Sequence, residues 1–267
     1  MLMHVKSPDG VEIGLEKSGS GSPVLLVHGT SSDRTRWLPV MKAFEARHTV
    51  YVMDRRGRGA SSDGKGPHSM TLEFADVTAA IDGAAAAENG PIDVVGHSYG
   101  AICSIEASVR TKNIRRLVLY EPPITMPGVT EAPGPQLAVM EKLLAAGDRK
   151  GVLETFYLQV LRAPAAEWEA LQKLPNFPAR LEAAHAIPRE LTAVRSYEFE
   201  PERFRDMKTP TLLMLGGDSA QRFRAATDLL RKTFQNSQIC ILPGQLHNAI
   251  NTAPPLFWGE VLKFLEG

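Results

Sequence analysis

Ser98 stands in the run Val94-Val95-Gly96-His97-Ser98-Tyr99-Gly100, with a glycine two residues to either side. A turn with little room for Cβ atoms can hold its central residue in a strained conformation, its side chain clear of the backbone. The chemistry a serine offers there is nucleophilic attack on an acyl carbon, provided a base takes its proton. The alternative is a structural N-cap for the helix that follows. If that helix begins at Tyr99, the Tyr99 N–H lacks an intrahelical acceptor and is free to face a developing oxyanion.

Of the seven histidines, His247 suits the base best. It lies in Leu242-Pro243-Gly244-Gln245-Leu246-His247, after the last strand-like run and before the last helical one, where the C-terminal edge of a parallel sheet would bring it beside Ser98. His4 and His48 fall in or beside strands, His68 in a polar loop and His185 among helices, and His97 adjoins Ser98 in a turn that points the two side chains apart. The imidazole needs a carboxylate to hold its tautomer. Asp218, directly after a strand-like run, is the first choice for this acid, although Asp218 or Ser219 would also cap a helix starting near Ala220. Glu121 is the reserve, its plainer reading being a partly solvated strand end before Pro122 and Pro123.

These groups meet only if the right elements carry them. Apolar runs at 11–17, 23–28, 49–54, 91–96, 114–121, 210–216 and 237–242 read as strands, the last five or so apolar on both faces as in a buried parallel sheet. Helical patterns fall at about 36–46, 71–88, 99–110, 220–234 and 255–266. That alternation predicts an α/β domain with crossover helices. From Pro122 to Asp206 no strand is evident and short helical stretches are punctuated by proline, which predicts a helical cap over 122–206 inserted between core segments 1–121 and 207–267.

A chain of 267 residues with zero formal charge is long enough for one large domain with an insertion, and its balance of charges gives no footing for nucleic acid. The start of the chain lacks the apolar stretch of a signal peptide or a membrane span, so the expected location is the cytoplasm, with no membrane partner. Cys103 and Cys240 belong to no CxxC pair or His/Cys cluster, so neither a disulfide nor a metal is expected. The oligomeric state stays open. Met140, Phe156, Tyr157, Trp168 and Phe177 in the insert are read as cap core or pocket wall, with Phe156 and Trp168 the pocket candidates and Trp37 near the entrance. Arg34, Arg36, Arg55, Arg56 and Arg58 are read as solvated loops in preference to a site for an anionic group.

The order Ser98, Asp218, His247, with the helical insert after the first, resembles the α/β-hydrolase superfamily over nearly the whole chain. His28-Gly29 resembles its oxyanion loop, which implies that the Thr30 N–H joins that of Tyr99. Asp54, Arg56, Gly57, Gly59 and Ser61 are similar to its Asp-x-Arg-Gly-x-Gly-x-Ser structural loop. The resemblance implies a mostly parallel eight-stranded sheet with helices on both faces and a cap. It also implies hydrolysis of a small-molecule ester through an acyl-enzyme, without a cofactor. Leu246 departs from the glycine often found before the histidine and is a candidate for shaping the pocket. Carbon–carbon or thioester hydrolysis, a lyase reaction and a non-catalytic receptor remain alternatives on the same residues.

Overall fold

The computed structural model describes residues 1–126, 128 and 134–267. Eight strands form one sheet: β1 (Leu2–Lys6), β2 (Glu12–Gly19), β3 (Ser22–Val27), β4 (His48–Met53), β5 (Ile92–His97), β6 (Ile114–Tyr120), β7 (Thr211–Gly216) and β8 (Ser237–Leu242). Their order is β1-β2-β4-β3-β5-β6-β7-β8, antiparallel at β1–β2 and β2–β4 and parallel elsewhere. Every residue of β4, β5 and β7 is buried, as expected of parallel strands covered on both faces. β8 is an edge strand with Ile239 and Ile241 exposed, so the expectation of burial on both faces fails there. β1 was not anticipated, because an edge strand that is nowhere fully buried carries no apolar signature.

Helices α1 (Leu38–Glu45), α2 (Met70–Ala87) and α3 (Tyr99–Ala107) precede the insert. The insert contributes α4 (Gly134–Ala145), α5 (Arg149–Thr155), α6 (Ala165–Leu171), α7 (Phe177–Ala183) and α8 (Ile187–Arg195), and the chain closes with α9 (Gln221–Thr233), α10 (Ala249–Thr252) and α11 (Pro254–Glu266). One core joins α2, α3 and α9 to the sheet through Phe74, Ile81, Ile102, Ile105 and Leu230. The other covers the opposite face through Trp37, Phe44, Phe257 and Val261. The insert has a core of its own, with Met140, Phe156, Tyr157, Trp168, Leu171 and Ile187. Positions 127 and 129–133 of the expected cap lie outside the described residues.

The arginines after β4 are buried, contrary to the solvated reading. Arg56 binds Asp76 through Nε and Nη2 at 2.6 and 2.7 Å, and Arg55 and Arg58 both donate to Glu190 of α8. Each meets a carboxylate delivered by a distant element, which a linear reading cannot see. Asp54 accepts from the Arg34 and Ala60 amides at 2.8 Å each, and a Cβ on Gly59 would lie 2.2 Å from the Asp54 carboxylate, so the loop tolerates only glycine there.

Glu190 thus fastens the insert to the core by a fully buried ion cluster. Glu190→Ala is expected to destabilise the fold by about 3–5 kcal/mol, since it strands two buried guanidinium charges; urea unfolding checks this. Glu73, buried in the same cluster 3.7 Å from Arg55 Nε, has neither carboxylate oxygen hydrogen-bonded. Burial pushes its carboxyl up from 4.5 to about 7. A carboxyl raised in the folded state contributes stability that is full below its unfolded value and lost as pH rises through the folded one. Glu73→Gln is therefore expected to gain stability over the wild type as pH goes from about 5 to about 8, measured as the difference in thermal midpoint.

Candidate active site

The corner after β5 is tight because three close approaches demand it. A Cβ on Gly100 would lie 2.3 Å from His28 O, one on Gly96 2.7 Å from Ala101 Cα, and one on Gly29 2.8 Å from Ser98 Cβ. Ser98 takes φ 55°, ψ −124°, a strained conformation for a residue with a side chain. Its N–H donates to Tyr120 O at 2.9 Å, tying the corner to β6. Ser98 occupies the N-cap position of α3 without a side-chain cap bond, so it is not there as a helix cap. Among the described residues its hydroxyl forms no hydrogen bond.

Ser98 lines a cavity of about 470 Å³ together with Thr30, Tyr99, Phe156, Leu191, Val194 and Phe223. Neither the Thr30 nor the Tyr99 N–H has an acceptor among the described residues. His28 shapes the Thr30 loop: its Nε2 accepts the Arg55 N–H at 3.1 Å, which leaves Nδ1–H to donate to Gly29 O at 2.8 Å. Burial, and then the Arg55 charge, hold His28 well below the usual imidazole range, so it remains neutral.

The imidazole of His247 donates through Nδ1 to Glu121 Oε2 at 2.6 Å. The other oxygen, Oε1, accepts the Gly216 N–H at 2.7 Å. Glu121 is fully buried, with φ 47° turning its side chain back across the strand ends. With Nδ1 protonated and engaged, Nε2 is left as the basic nitrogen.

Asp218, the first choice from sequence, does not meet His247. Its N–H bonds Gln245 O at 3.0 Å and the Gly217 N–H bonds Leu242 O at 2.8 Å, which turns the Asp218 side chain out to solvent. It does not cap α9 either, whose N-cap is Ala220. Among the pocket candidates, Phe156 lines the cavity beside Ser98. Trp37 does not: it closes the 3-10 turn Arg34–Trp37 and is wholly buried in the core with Phe44 and Val261, 6.4 Å from the Phe257 ring. Trp168 is buried in the insert's own core, stacked 5.7 Å from Tyr157. Leu246 borders a separate pocket of about 160 Å³ beside His247 and Asp218.

Two residues that pack around His247 or bond the backbone beside it have no sequence signature. Phe223 of α9 stacks on His247 at 4.5 Å and 12°, and its ring borders both pockets. The Tyr120 hydroxyl donates to Leu246 O and accepts the Ala249 N–H at 3.1 Å, bracketing the peptide that carries His247. Among the described residues no group of three or more metal-ligating side chains occurs, and no helix is long and apolar enough to cross a membrane.

Residues 24–244 match the sequence pattern of the alpha/beta hydrolase family. The crystal structure of an alpha/beta hydrolase from Sphaerobacter thermophilus is similar at TM-score 0.83 and 32% identity, over 98% of this chain and 100% of that one. The chain belongs to the alpha/beta hydrolase family. The N-formylmaleamate deformylase of Pseudomonas putida is 34% identical over 118 residues, 43% of this chain and 42% of that protein. The pimeloyl-[acyl-carrier protein] methyl ester esterase of Neisseria meningitidis serogroup B is 23% identical over 249 residues, 91% of this chain and 93% of that protein.

Proposed function

We propose that the protein is a serine hydrolase of small esters, with Ser98 as nucleophile, His247 as base and Glu121 as the acid that orients it. The observation that carries this reading is the 2.6 Å contact between His247 Nδ1 and Glu121 Oε2, made at the strand ends that also present Ser98. His247 Nε2 takes the Ser98 proton as Oγ bonds the acyl carbon, through a contact that forms when substrate is bound. The Thr30 and Tyr99 amides hold the oxyanion. Collapse expels the alcohol, which takes its proton from His247, and water then releases the acid by the same steps in reverse. Phe156, Leu191, Val194 and Phe223 give the cavity an apolar wall, which suits an uncharged carbon skeleton next to the ester. The insert supplies three of those four side chains and acts as the cap over the site.

Ester chemistry is favoured because a serine nucleophile with a neutral base needs no further group for it, and one relative is named for a methyl ester. Labelling with an uncharged fluorophosphonate tests the reading. One adduct on the peptide carrying Ser98 is expected, with release of p-nitrophenol from short-chain esters; an unlabelled but folded protein that binds small molecules without turnover would leave the receptor alternative in its place.

A further inference from the structure

Arg36 and Arg180 are buried, with 2% and 1% of their surfaces exposed, and among the described residues neither forms an ion pair. They differ in this from Arg55, Arg56 and Arg58, each of which meets a carboxylate. Arg36 is held by neutral groups, the Oδ1 atoms of Asn251 and, at 2.9 Å, Asn248. Arg180 spends Nη1 on Ser31 O at 3.3 Å and the Tyr157 hydroxyl at 2.9 Å, and its Nε and Nη2 are buried with no partner. Glu167, whose charge acts on Arg36, is only half-buried and accepts at 3.4 Å from Asn248 Nδ2 instead of from a guanidinium. Burial, reinforced by the charge of Arg180, pushes Arg36 down to about 9. Two buried cations without an anion are a costly arrangement unless a ligand supplies the charge.

The pair adjoins the reacting groups. Ser31 follows Thr30 of the oxyanion loop, Asn248 follows His247, and His97, which precedes Ser98, feels both arginine charges. His97 Nε2–H donates to His247 O at 3.1 Å, so its buried Nδ1 is an unfilled acceptor, and a Cβ on Gly29 would lie 3.3 Å from that Nδ1 and 2.8 Å from Ser98 Cβ. The free atoms of Arg180, Nε and Nη2, are two nitrogens of one guanidinium, and such a fork matches the two oxygens of a carboxylate.

We propose that Arg180, backed by Arg36, forms a carboxylate subsite, and that the substrate carries a free carboxylate on its acyl part in addition to the bond attacked by Ser98. This rests on the reading of Ser98 as nucleophile. Neither arginine lines the cavity of about 470 Å³; the carbon skeleton lies along its apolar wall, and the carboxylate reaches the arginines past Thr30, which does line it and precedes the Ser31 carbonyl held by Arg180. An arginine required only for packing would not discriminate between charged and neutral acyl chains.

The test compares mono-p-nitrophenyl esters of succinic and glutaric acids with p-nitrophenyl butyrate and valerate, spontaneous hydrolysis subtracted. The wild type is expected to favour the charged esters in kcat/KM by roughly tenfold or more, with Arg180→Gln collapsing that ratio and Arg180→Lys restoring part of it. Succinate or glutarate is expected to slow fluorophosphonate labelling of Ser98, and sodium chloride at matched ionic strength is not. These wild-type measurements decide the matter even if the variants fail to fold. A Ser98 that labels normally, with no preference for charged esters and no protection by dicarboxylates, overturns the subsite, as does equal protection by chloride. A Ser98 that never labels removes instead the nucleophile on which the subsite depends.

Discussion

Ser98→Ala is expected to lower kcat/KM for a turned-over ester by on the order of 10⁵-fold or more, with the fold retained. The size follows from what the substitution removes. Without Oγ no acyl-enzyme forms, and the remaining acceleration comes from the Thr30 and Tyr99 amides and from substrate binding alone. Stability is expected to change little, because Oγ makes no hydrogen bond among the described residues and its loss strands no buried partner. The strained φ of 55° is unchanged by the substitution, as alanine keeps the Cβ. Steady-state rates with background hydrolysis subtracted, together with a thermal midpoint within a few degrees of the wild type, check both halves. Residual activity at the wild-type level means that the attacking group is elsewhere.

Glu121→Gln carries the second large effect, a loss in kcat of about 10³- to 10⁴-fold. A glutamine at this position can still accept the Gly216 N–H through its amide oxygen, so the turn after β7 keeps its anchor. Its NH₂ group then faces His247, which favours the imidazole tautomer with Nδ1 unprotonated and removes the basic lone pair from Nε2. The imidazolium formed in the transition state also loses its counter-charge. Asp218→Asn makes the necessary comparison: with its side chain exposed and no hydrogen bond to His247, it is expected to stay within about threefold of the wild type. The reverse pattern, with Asp218→Asn inactive and Glu121→Gln active, would return the acid to the position the sequence first suggested.

The exchange of Asp218 for Glu121 shows where linear reading stops. Both acids follow strands that run parallel in the sheet, and both precede a turn, yet the linear reading put Asp218 first. The difference lies in the backbone. Bonds from Gly217 and Asp218 to Leu242 and Gln245 pin the turn after β7 against the loop after β8, while the positive φ of Glu121 folds its carboxylate inward. A charged residue closing a buried strand before two prolines was the available signal. The Gly96–Gly100 corner was legible because its glycine spacing about Ser98 is a local pattern, although one of the close approaches it permits, to His28 O, comes from a distant part of the chain. The strands from β2 to β8 were legible from their apolar runs, although β8 is exposed on one face where burial on both was expected; only the edge strand β1 was missed. Phe223, Tyr120 and the arginines after β4 were out of reach, since each acts through a partner far away in the chain. Trp37 and Trp168 illustrate the converse: a large aromatic is drawn first to a core, and only its neighbours' packing decides whether it reaches a cavity.

The claim that Ser98 becomes acylated is tested most directly by rapid mixing of enzyme with an excess of p-nitrophenyl ester. The predicted result is a burst of p-nitrophenol approaching one equivalent per active site, with acid-quenched protein gaining the acyl mass on the peptide that contains Ser98. Turnover that is linear from the first milliseconds, with no adduct at that serine under conditions where deacylation has been slowed, would contradict it.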